Sequence, residues 1–357
     1  MIRQQRGLTM VELLVGLAIS SFIIVGTIFV YSQSRTTYAL NDTQARLQEY
    51  GRYSLGILEP DLQLAGYYGF SNNPSDLRYS YNGSEYAISQ LEQSDTTVLV
   101  DKPDAIHACG NNYVIDLLAS VQGTNNKYDV DTGDCAASGG YQDGTDTLTI
   151  RRASTAKTVA SAGRIQLYIN ALKRSNQYVF NSSTAPGVTD ATREIRDLIV
   201  RKYYVSQSSD GRVGVPSLRR KFLTVVGGAP AIGDEEILPG VEDMQIEIGV
   251  DTGDHNSTVG IDNDADGNGV PDDPNGIVSR WVEPDDKILL PPPDGVKAQA
   301  VAVRVWLRIR SDDPETSYTD TNEYNYAGVK YTPTGTDATY RRTLVTRTVY
   351  LRNARTL

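Results

Sequence analysis

The chain has 357 residues, 39% of them hydrophobic and 22% charged, and its formal net charge is −10. This composition fits a folded protein with a sizeable core and excludes wholesale disorder. The acidic balance argues against a nucleic-acid partner, because phosphate backbones are bound by clustered Lys and Arg side chains. With only two cysteines and two histidines, the chain has little material for a histidine-based zinc site or catalytic triad.

The N-terminus begins with a basic segment and continues into an uncharged run from Leu13 to Tyr31. As a helix rising about 1.5 Å per residue, this run covers roughly 28 Å, which is the thickness of a bilayer core. Arg3 and Arg6 precede the run, so the positive-inside rule places the N-terminus in the cytoplasm and the rest of the chain outside.

Two features separate this segment from an ordinary secretory signal. A secretory signal has its small-residue cleavage site after the apolar core, whereas Gly7 lies before the apolar run. A lone carboxylate, Glu12, also lies at the leading edge of the run. A carboxylate at a membrane span is costly to bury, which indicates a functional residue with a partner.

The segment Arg6-Gly7-Leu8-Thr9-Met10-Val11-Glu12-Leu13-Leu14-Val15 resembles the class III leader of type IV pilins and type II secretion pseudopilins. The resemblance implies that a prepilin peptidase removes residues 1–7, cutting after Gly7, and methylates the new N-terminus at Leu8. The family most often has Phe where this chain has Leu8. Glu12 matches the family's conserved glutamate. In a filament, its carboxylate would neutralise the Leu8 ammonium of a neighbouring subunit and fix the axial register.

The membrane segment, about residues 11–31, is predicted to be the first half of a longer helix over residues 8–58, which contain no proline. After Tyr31 apolar and small residues recur at three- and four-residue steps, as expected for a helix face that packs on a sheet. Pro60 is expected to end or kink the helix nearby.

Beyond the helix the patterns predict strands. Residues 145–152, 300–310 and 343–351 alternate between apolar and polar side chains with period two, which favours half-buried antiparallel strands. Segments rich in Gly, Asn, Ser, Asp and Pro, including 70–85 and 311–337, are predicted to be loops.

Segments along the chain further resemble the PilW-type minor pilins of the type IV pilus. These segments are residues 46–69, 144–152, 240–252 and 340–353. The resemblance implies an α+β type IV pilin fold, with the long N-terminal helix packed on a large antiparallel β-rich head formed by residues 59–357.

An acidic loop spans residues 251–286, which contain nine Asp, one Glu and one Arg. Within it, aspartates at alternate positions precede Gly267, as in the first half of an EF-hand-like or thrombospondin-repeat-like calcium loop. The predicted calcium ligands are Asp262, Asp264, Asp266, the backbone carbonyl of Asn268, and Asp273 in the twelfth position. The alternative is a solvated acidic loop, since Asp273 replaces the usual glutamate.

Cys109 and Cys135 are expected to form one disulfide in an oxidising compartment, with two free buried thiols as the alternative. The pairs Arg151–Arg152 and Arg341–Arg342 are interpreted as strand-surface charges. The sequence contains no G-x-S-x-G, P-loop, H-E-x-x-H, CxxC or Rossmann glycine pattern, and we expect no enzymatic activity.

The resemblance implies a minor pilin that works by assembly, first in the inner membrane with a periplasmic head and then on the surface pilus. Expected partners are the prepilin peptidase, other minor pilins, the major pilin and possible tip adhesins, with twitching motility and cell adhesion as downstream functions. Two alternatives stay open: a type II secretion pseudopilin, and a membrane-anchored calcium-dependent adhesin that shares only the leader.

Overall fold

The structure is a computed structural model that describes residues 9–70, 74–81, 84–88, 109–110, 112–172, 177–186, 192–252, 276–289, 298–315 and 318–353. The chain divides into two compact units, Met1–Glu49 and Tyr50–Leu357. Secondary structure follows the predicted order, with one long helix before a β-rich head, which confirms the α+β class.

The helix α1 spans Met10–Gln63 and so continues past residue 58, where we predicted its end. Pro60 lies inside the helix and accepts a hydrogen bond from the N–H of Leu64 at 3.2 Å. A proline lacks its own N–H and crowds the carbonyl four residues earlier, but the residues after it keep their donors. Asp61 and Leu62 are buried, so packing in the head holds this last turn in helical form.

The head contains fifteen strands within the described residues. In chain order they are β1 Arg78–Tyr81, β2 Ser84–Ala87, β3 Val121–Thr124, β4 Thr147–Ala153, β5 Gln166–Asn170, β6 Tyr178–Phe180, β7 Arg193–Ser206, β8 Ser217–Val226, β9 Ala229–Pro239, β10 Val241–Asp251, β11 Arg280–Val282, β12 Gln299–Arg310, β13 Tyr324–Tyr326, β14 Val329–Tyr331 and β15 Arg342–Tyr350.

Nine strands form the larger sheet, in the order β2-β1-β6-β5-β7-β4-β3, with β8 and β9 added beside β7. The long strand β7 organises it, because its first half pairs with β5 and its second half pairs with β4 and β8. Pairings are antiparallel except between β1 and β6, which run parallel. The core of this sheet includes Leu167, Val179 and both cysteines.

The smaller sheet has four strands in the order β11-β10-β12-β15, all antiparallel, and β13 and β14 form a separate hairpin. Its strands β12 and β15 match the predicted segments 300–310 and 343–351. The inward face of β12 carries Val303, Val305 and Leu307, all buried as the alternating pattern predicts.

Three sequence expectations differ from the structure. Every residue of β4 is buried, so this strand is covered on both faces instead of being half-buried. The segments 70–85 and 311–337 were predicted to be loops, but they contain strands of three or four residues. Such strands are too short to show a periodic pattern, and the burial of Tyr79, Tyr324 and Tyr326 holds them in place.

Candidate assembly site

The start of α1 is a capping box formed by Thr9 and Glu12. The backbone N–H and the hydroxyl of Thr9 each donate to the Glu12 carboxylate at 2.9 Å, and the Glu12 N–H donates to the Thr9 hydroxyl at 3.3 Å. This reciprocal arrangement satisfies two backbone donors at the helix start. Glu12 therefore has a local structural role in the single chain, besides the assembly role implied by the resemblance.

The helix surface that follows is apolar and exposed. Between Met10 and Tyr31 every large hydrophobic side chain is more than half exposed, and Phe22 reaches 81%. Within the described residues, α1 is the one helix long and apolar enough to cross a membrane. A soluble protein would bury such a surface, so this segment is suited to anchoring the chain in a membrane.

The processing residues Gly7 and Leu8 lie outside the described residues, so the cleavage site stays a sequence prediction. The same holds for the predicted calcium ligands Asp262, Asp264, Asp266, Asn268 and Asp273. The described residues contain no group of three or more His, Cys, Asp or Glu side chains that could hold a metal ion.

Within the acidic loop, Asp251, the last residue of β10, contacts two residues that come shortly before β11. Its buried carboxylate accepts hydrogen bonds from the N–H groups of Gly276 and Ile277, at 2.5 and 3.2 Å. The strand β11, which lies within the acidic loop, also pairs with β10. The described residues on the two sides of positions 253–275 therefore lie together on the smaller sheet.

Cys109 and Cys135 form the expected disulfide, with their Cα atoms 5.1 Å apart. Both cysteines are almost fully buried in the core of the larger sheet. The bond closes a segment with a sequence separation of 26 residues. It fixes the segment before β4 to the core that β4 helps to form.

The last turn of α1 is held in the head by a buried ionic cluster around Asp61. Its carboxylate accepts hydrogen bonds from Arg152 of β4, from Arg201 of β7 and from the Tyr203 hydroxyl, at 2.9, 2.6 and 2.5 Å. Burial alone would raise the pKa of Asp61, but Arg201, Tyr203 and Arg152 together hold it below its ordinary value. The cluster fixes the position of α1 against two strands of the larger sheet.

A second buried cluster surrounds Glu242 of β10. Its carboxylate binds Arg308 of β12 at 3.2 Å and Arg342 of β15 at 2.8 Å, so one acid joins three adjacent strands. Tyr326 donates to Asp243 at 2.5 Å, which attaches the β13–β14 hairpin to the same cluster. Removing one of these buried charges would leave the others without compensation, which destabilises the fold.

These clusters show where the sequence interpretation of the arginine pairs was wrong. Arg151, Arg152 and the Arg342 side chain are buried instead of lying on the strand surface, while Arg341 pairs with Glu315 at 2.9 Å. Their partners are distant in sequence: Arg152 and Asp61 are 91 positions apart, and Arg342 and Glu242 are 100 apart. The only sequence signal was an arginine pair within or beside an alternating strand, and it does not specify a partner.

Comparison with known protein families gives two matches. Residues 2–28 match the prokaryotic N-terminal methylation motif, and residues 202–353 match the family described as Type IV Pilus-assembly protein W. Neither the curated proteins nor the solved structures include a significant match. The first match covers the leader and the apolar start of α1, and the second runs from within β7 to the end of β15. With the helix and head described above, these matches identify the chain as a PilW-type prepilin, a type IV pilus-related pilin anchored through its N-terminus.

Proposed function

We propose that this protein is a minor pilin that primes or joins the assembly of a type IV pilus, after prepilin peptidase cleavage between Gly7 and Leu8. The observation that carries the proposal is the exposed apolar surface of α1 from Met10 to Tyr31, most of which lies within the methylation motif at residues 2–28. Such a surface suits the membrane before assembly and a bundle of neighbouring helices afterwards. The role is structural and involves no catalysis.

The size of the head supports a place at the pilus tip. Residues 59–357 form a larger head than a repeating shaft accommodates easily, and a tip subunit has neighbours on one side only. The prepilin would sit in the inner membrane with a periplasmic head and later reach the cell surface. Its partners would be other minor pilins, the major pilin and a tip adhesin, with twitching motility and adhesion as downstream effects.

The Glu12 carboxylate would pair with the Leu8 ammonium of the neighbouring subunit. Both charges leave water when helices pack, and pairing them avoids leaving either one buried alone. In the single chain the same carboxylate caps the helix through Thr9. Assembly would then add a charged partner to a side chain already oriented at the helix start.

A deletion strain tests the proposal, with sheared surface pili and secreted proteins measured in parallel. We expect loss of pili with normal secretion, and restoration of pili by the intact gene. Normal pili with enzymes trapped in the periplasm would instead indicate a type II secretion pseudopilin. If neither phenotype changed, the accessory-adhesin alternative would replace the assembly role.

We also propose that the acidic loop binds calcium through Asp262, Asp264, Asp266, Asn268 and Asp273. The concentration of carboxylates supports this, because without a cation they would repel one another. The contact of Asp251 with Gly276 and Ile277 supports it further by bringing together residues on the two sides of the predicted ligands. Calorimetric calcium titration of the full chain, compared with Asp264→Ala and Asp266→Ala, tests the site; identical binding curves would rule it out.

A further inference from the structure

The strand β15 forms one edge of the smaller sheet, and half of its backbone groups point away from that sheet. It pairs with β12 over nine residues without a register shift. The N–H of Leu351 donates to Val301 and that of Ser311 to Arg341, at 2.9 and 2.8 Å, so odd-numbered residues of β15 bond to β12. Even-numbered residues therefore direct their N–H and C=O groups outward. In the described part of the chain, no main-chain hydrogen bond is formed by these outward groups at Leu344, Thr346, Thr348 and Tyr350.

Exposed edges are usually protected by proline, bulges, short length or charge, since an open edge pairs with other chains. The strand β15 contains no proline, glycine or bulge. The two arginines of β15 are both engaged within the head. Arg342 is buried against Glu242, and Arg347 pairs with Glu59 of α1. The edge itself therefore carries no unpaired charge that would repel an added strand.

The other edges in the described structure are protected. The strands β2 and β3 have four residues and β11 has three. The strands β13 and β14 of the separate hairpin also have three residues each, and the edge strand β9 is longer but has a register shift in its pairing with β8. It also contains Pro230, Pro239 and three consecutive acidic residues. Among the described edges, β15 thus combines length with a regular, uninterrupted backbone.

One face of the smaller sheet, next to this edge, carries aromatic and hydroxyl side chains that an added strand could contact. The Arg304 guanidinium lies 3.9 Å from the ring centre of Trp281 and 5.5 Å from that of Trp306. Arg304 also donates to the Thr348 hydroxyl at 3.3 Å. Thr348 and Tyr350 are exposed on the same face and are both neutral. Every second side chain of an added strand would therefore lie beside these two residues.

The opposite face of β15 lies against α1. An ideal Cβ placed on Gly51 would be 2.6 Å from Val345, which shows how closely the helix and this strand approach. A second contact between the same two elements is the ion pair of Glu59 with Arg347, eight residues further along α1 and two residues further along β15. The free edge is therefore adjacent to the head-packed end of the helix that our proposed function assigns to assembly.

We propose that the outer edge of β15 accepts a β-strand from the head of a different pilin subunit, an inference that rests on the proposed function. Contacts along a filament are heterologous, so pairing between copies of this chain would need a second complementary edge on the same head. The described edges are too short or, in β9, interrupted. Pairing of β15 with β15 of a second copy would close a two-fold dimer and could not extend a filament.

Photocrosslinking of the full-length chain in its own cells tests this pairing. A photoreactive benzoylphenylalanine replaces Tyr350, which is 64% exposed next to the edge, and a matched control carries it at Phe70, which is 50% exposed outside β15. We expect an adduct with another pilin from position 350 and none with that pilin from position 70. Mass spectrometry of the adduct identifies the partner.

The variant Thr346→Pro then removes one outward N–H without removing a donor to β12. We expect the adduct to fall at least tenfold, while the protein level and the oxidised state of Cys109 and Cys135 stay unchanged. If this variant does not accumulate, Thr346→Lys takes its place, because an edge lysine blocks strand addition and leaves the backbone intact. An adduct that survives the substitution overturns the inference.

Two further outcomes would also overturn the inference: an adduct with a second copy of this chain, or no adduct with any pilin. Neither depends on the result for the deletion strain. If deletion removes pili but Thr346→Pro leaves both pili and adduct at wild-type levels, the minor-pilin function stands and the strand-pairing inference fails. If deletion leaves pili intact, the proposed function fails first.

Discussion

Asp61 shows how a single carboxylate can set the position of the helix end in the head. Its side chain is 2% exposed and is shared by two arginines and a tyrosine from β4 and β7. Removal of the charge leaves Arg152, also buried, without compensation. The cost of breaking such a cluster exceeds the net value of forming it, because the remaining charge cannot return to water.

We therefore expect Asp61→Asn to lower the free energy of unfolding by roughly 3–5 kcal/mol. The matched control is Glu323→Gln, which changes an exposed ion pair with Lys330 in the same head and should cost less than about 1 kcal/mol. Denaturant unfolding of the full-length chain in detergent measures both variants. Equal effects would show that the Asp61 cluster does not anchor α1.

The pH dependence of Asp61 follows from its lowered pKa. A carboxyl group whose pKa is lower in the folded chain contributes stability above its unfolded pKa and loses it as pH falls through the folded value. The stabilising contribution is therefore complete at neutral pH and disappears in acid.

Asp146 has the opposite pH dependence. Burial raises its pKa to about 7, although the N–H groups of Asn126 and Ile246 donate to its carboxylate and favour the charged form. Nearby Asp243 and Glu283 add to the increase. Between about pH 4 and 7 the folded chain holds a proton that the unfolded chain has released, so stability falls as pH rises through that window.

We expect Asp146→Asn to flatten this part of the pH profile. Relative to the unsubstituted chain, its free energy of unfolding should rise by roughly 1–3 kcal/mol between pH 5 and pH 7.5. The variant also changes the hydrogen bonds of residue 146, but the free-energy cost of that change does not vary with pH. The difference in slope between the two pH profiles therefore reports the protonation of Asp146. Parallel profiles for the two proteins would contradict the raised pKa.

At the scale of elements, the approach of α1 to β15 depends on a glycine. Gly51 faces Val345, and a Cβ there would meet the Val345 Cγ1 at 2.6 Å, whereas Gly56 has nothing within 4 Å of the same position. Valine in a strand has restricted χ1 freedom, so it cannot easily move aside. Gly51 and Gly56 therefore differ in their packing although both lie inside α1.

Substitution of each glycine by alanine separates packing from helix propensity. Gly51→Ala should destabilise the head by about 1–3 kcal/mol through overpacking. Gly56→Ala should leave stability unchanged or raise it by up to about 1 kcal/mol, because alanine favours the helix. Thermal unfolding of both variants provides the measurement, and a stabilising effect at Gly51 would refute the close contact with Val345.

The disulfide acts on a longer element, the segment between Cys109 and Cys135. Closing 26 residues of sequence restricts the unfolded chain by roughly 3–4 kcal/mol on the chain-entropy model. The double variant Cys109→Ser/Cys135→Ser should lose about that much stability in denaturant unfolding. A reductant should destabilise the unsubstituted protein and leave the variant unaffected; an equal response in both would exclude the disulfide as the cause.

For the whole molecule, local sequence patterns predicted some features and failed for others. The apolar N-terminal helix and the strands β12 and β15 were predictable, because hydrophobic length and period-two alternation are properties of contiguous residues. The continuation of α1 past Pro60 depends on tertiary burial of Asp61 and Leu62, which no local pattern encodes.

Tertiary burial also explains why the sequence interpretation of the arginine pairs is wrong. Arg152 and Arg342 are paired with carboxylates that lie 91 and 100 positions away, so a strand sequence alone does not reveal their burial. The disulfide was predictable because two cysteines allow one pairing. At the candidate assembly site, the sequence and the resemblance predict Glu12, whereas its hydrogen bonds with Thr9 are evident only in the structure.

We propose that the charge of Glu12 is needed for assembly of the pilin into a pilus. Its capping role can be separated from its charge, because glutamine also completes a capping box. Glu12→Gln therefore keeps the helix start but removes the carboxylate, while Thr9→Ala removes a capping partner and keeps the carboxylate. Both variants are expressed in the deletion strain beside Glu12→Ala.

The measurement is the amount of this protein and of total pilin in sheared surface pili, normalised to processed protein in the membrane. We predict that Glu12→Gln and Glu12→Ala are processed normally but both reduce incorporation at least tenfold, whereas Thr9→Ala retains most of it. Wild-type incorporation of Glu12→Gln would contradict the account, because it would show that the residue acts as a helix cap and that its charge is not needed for assembly.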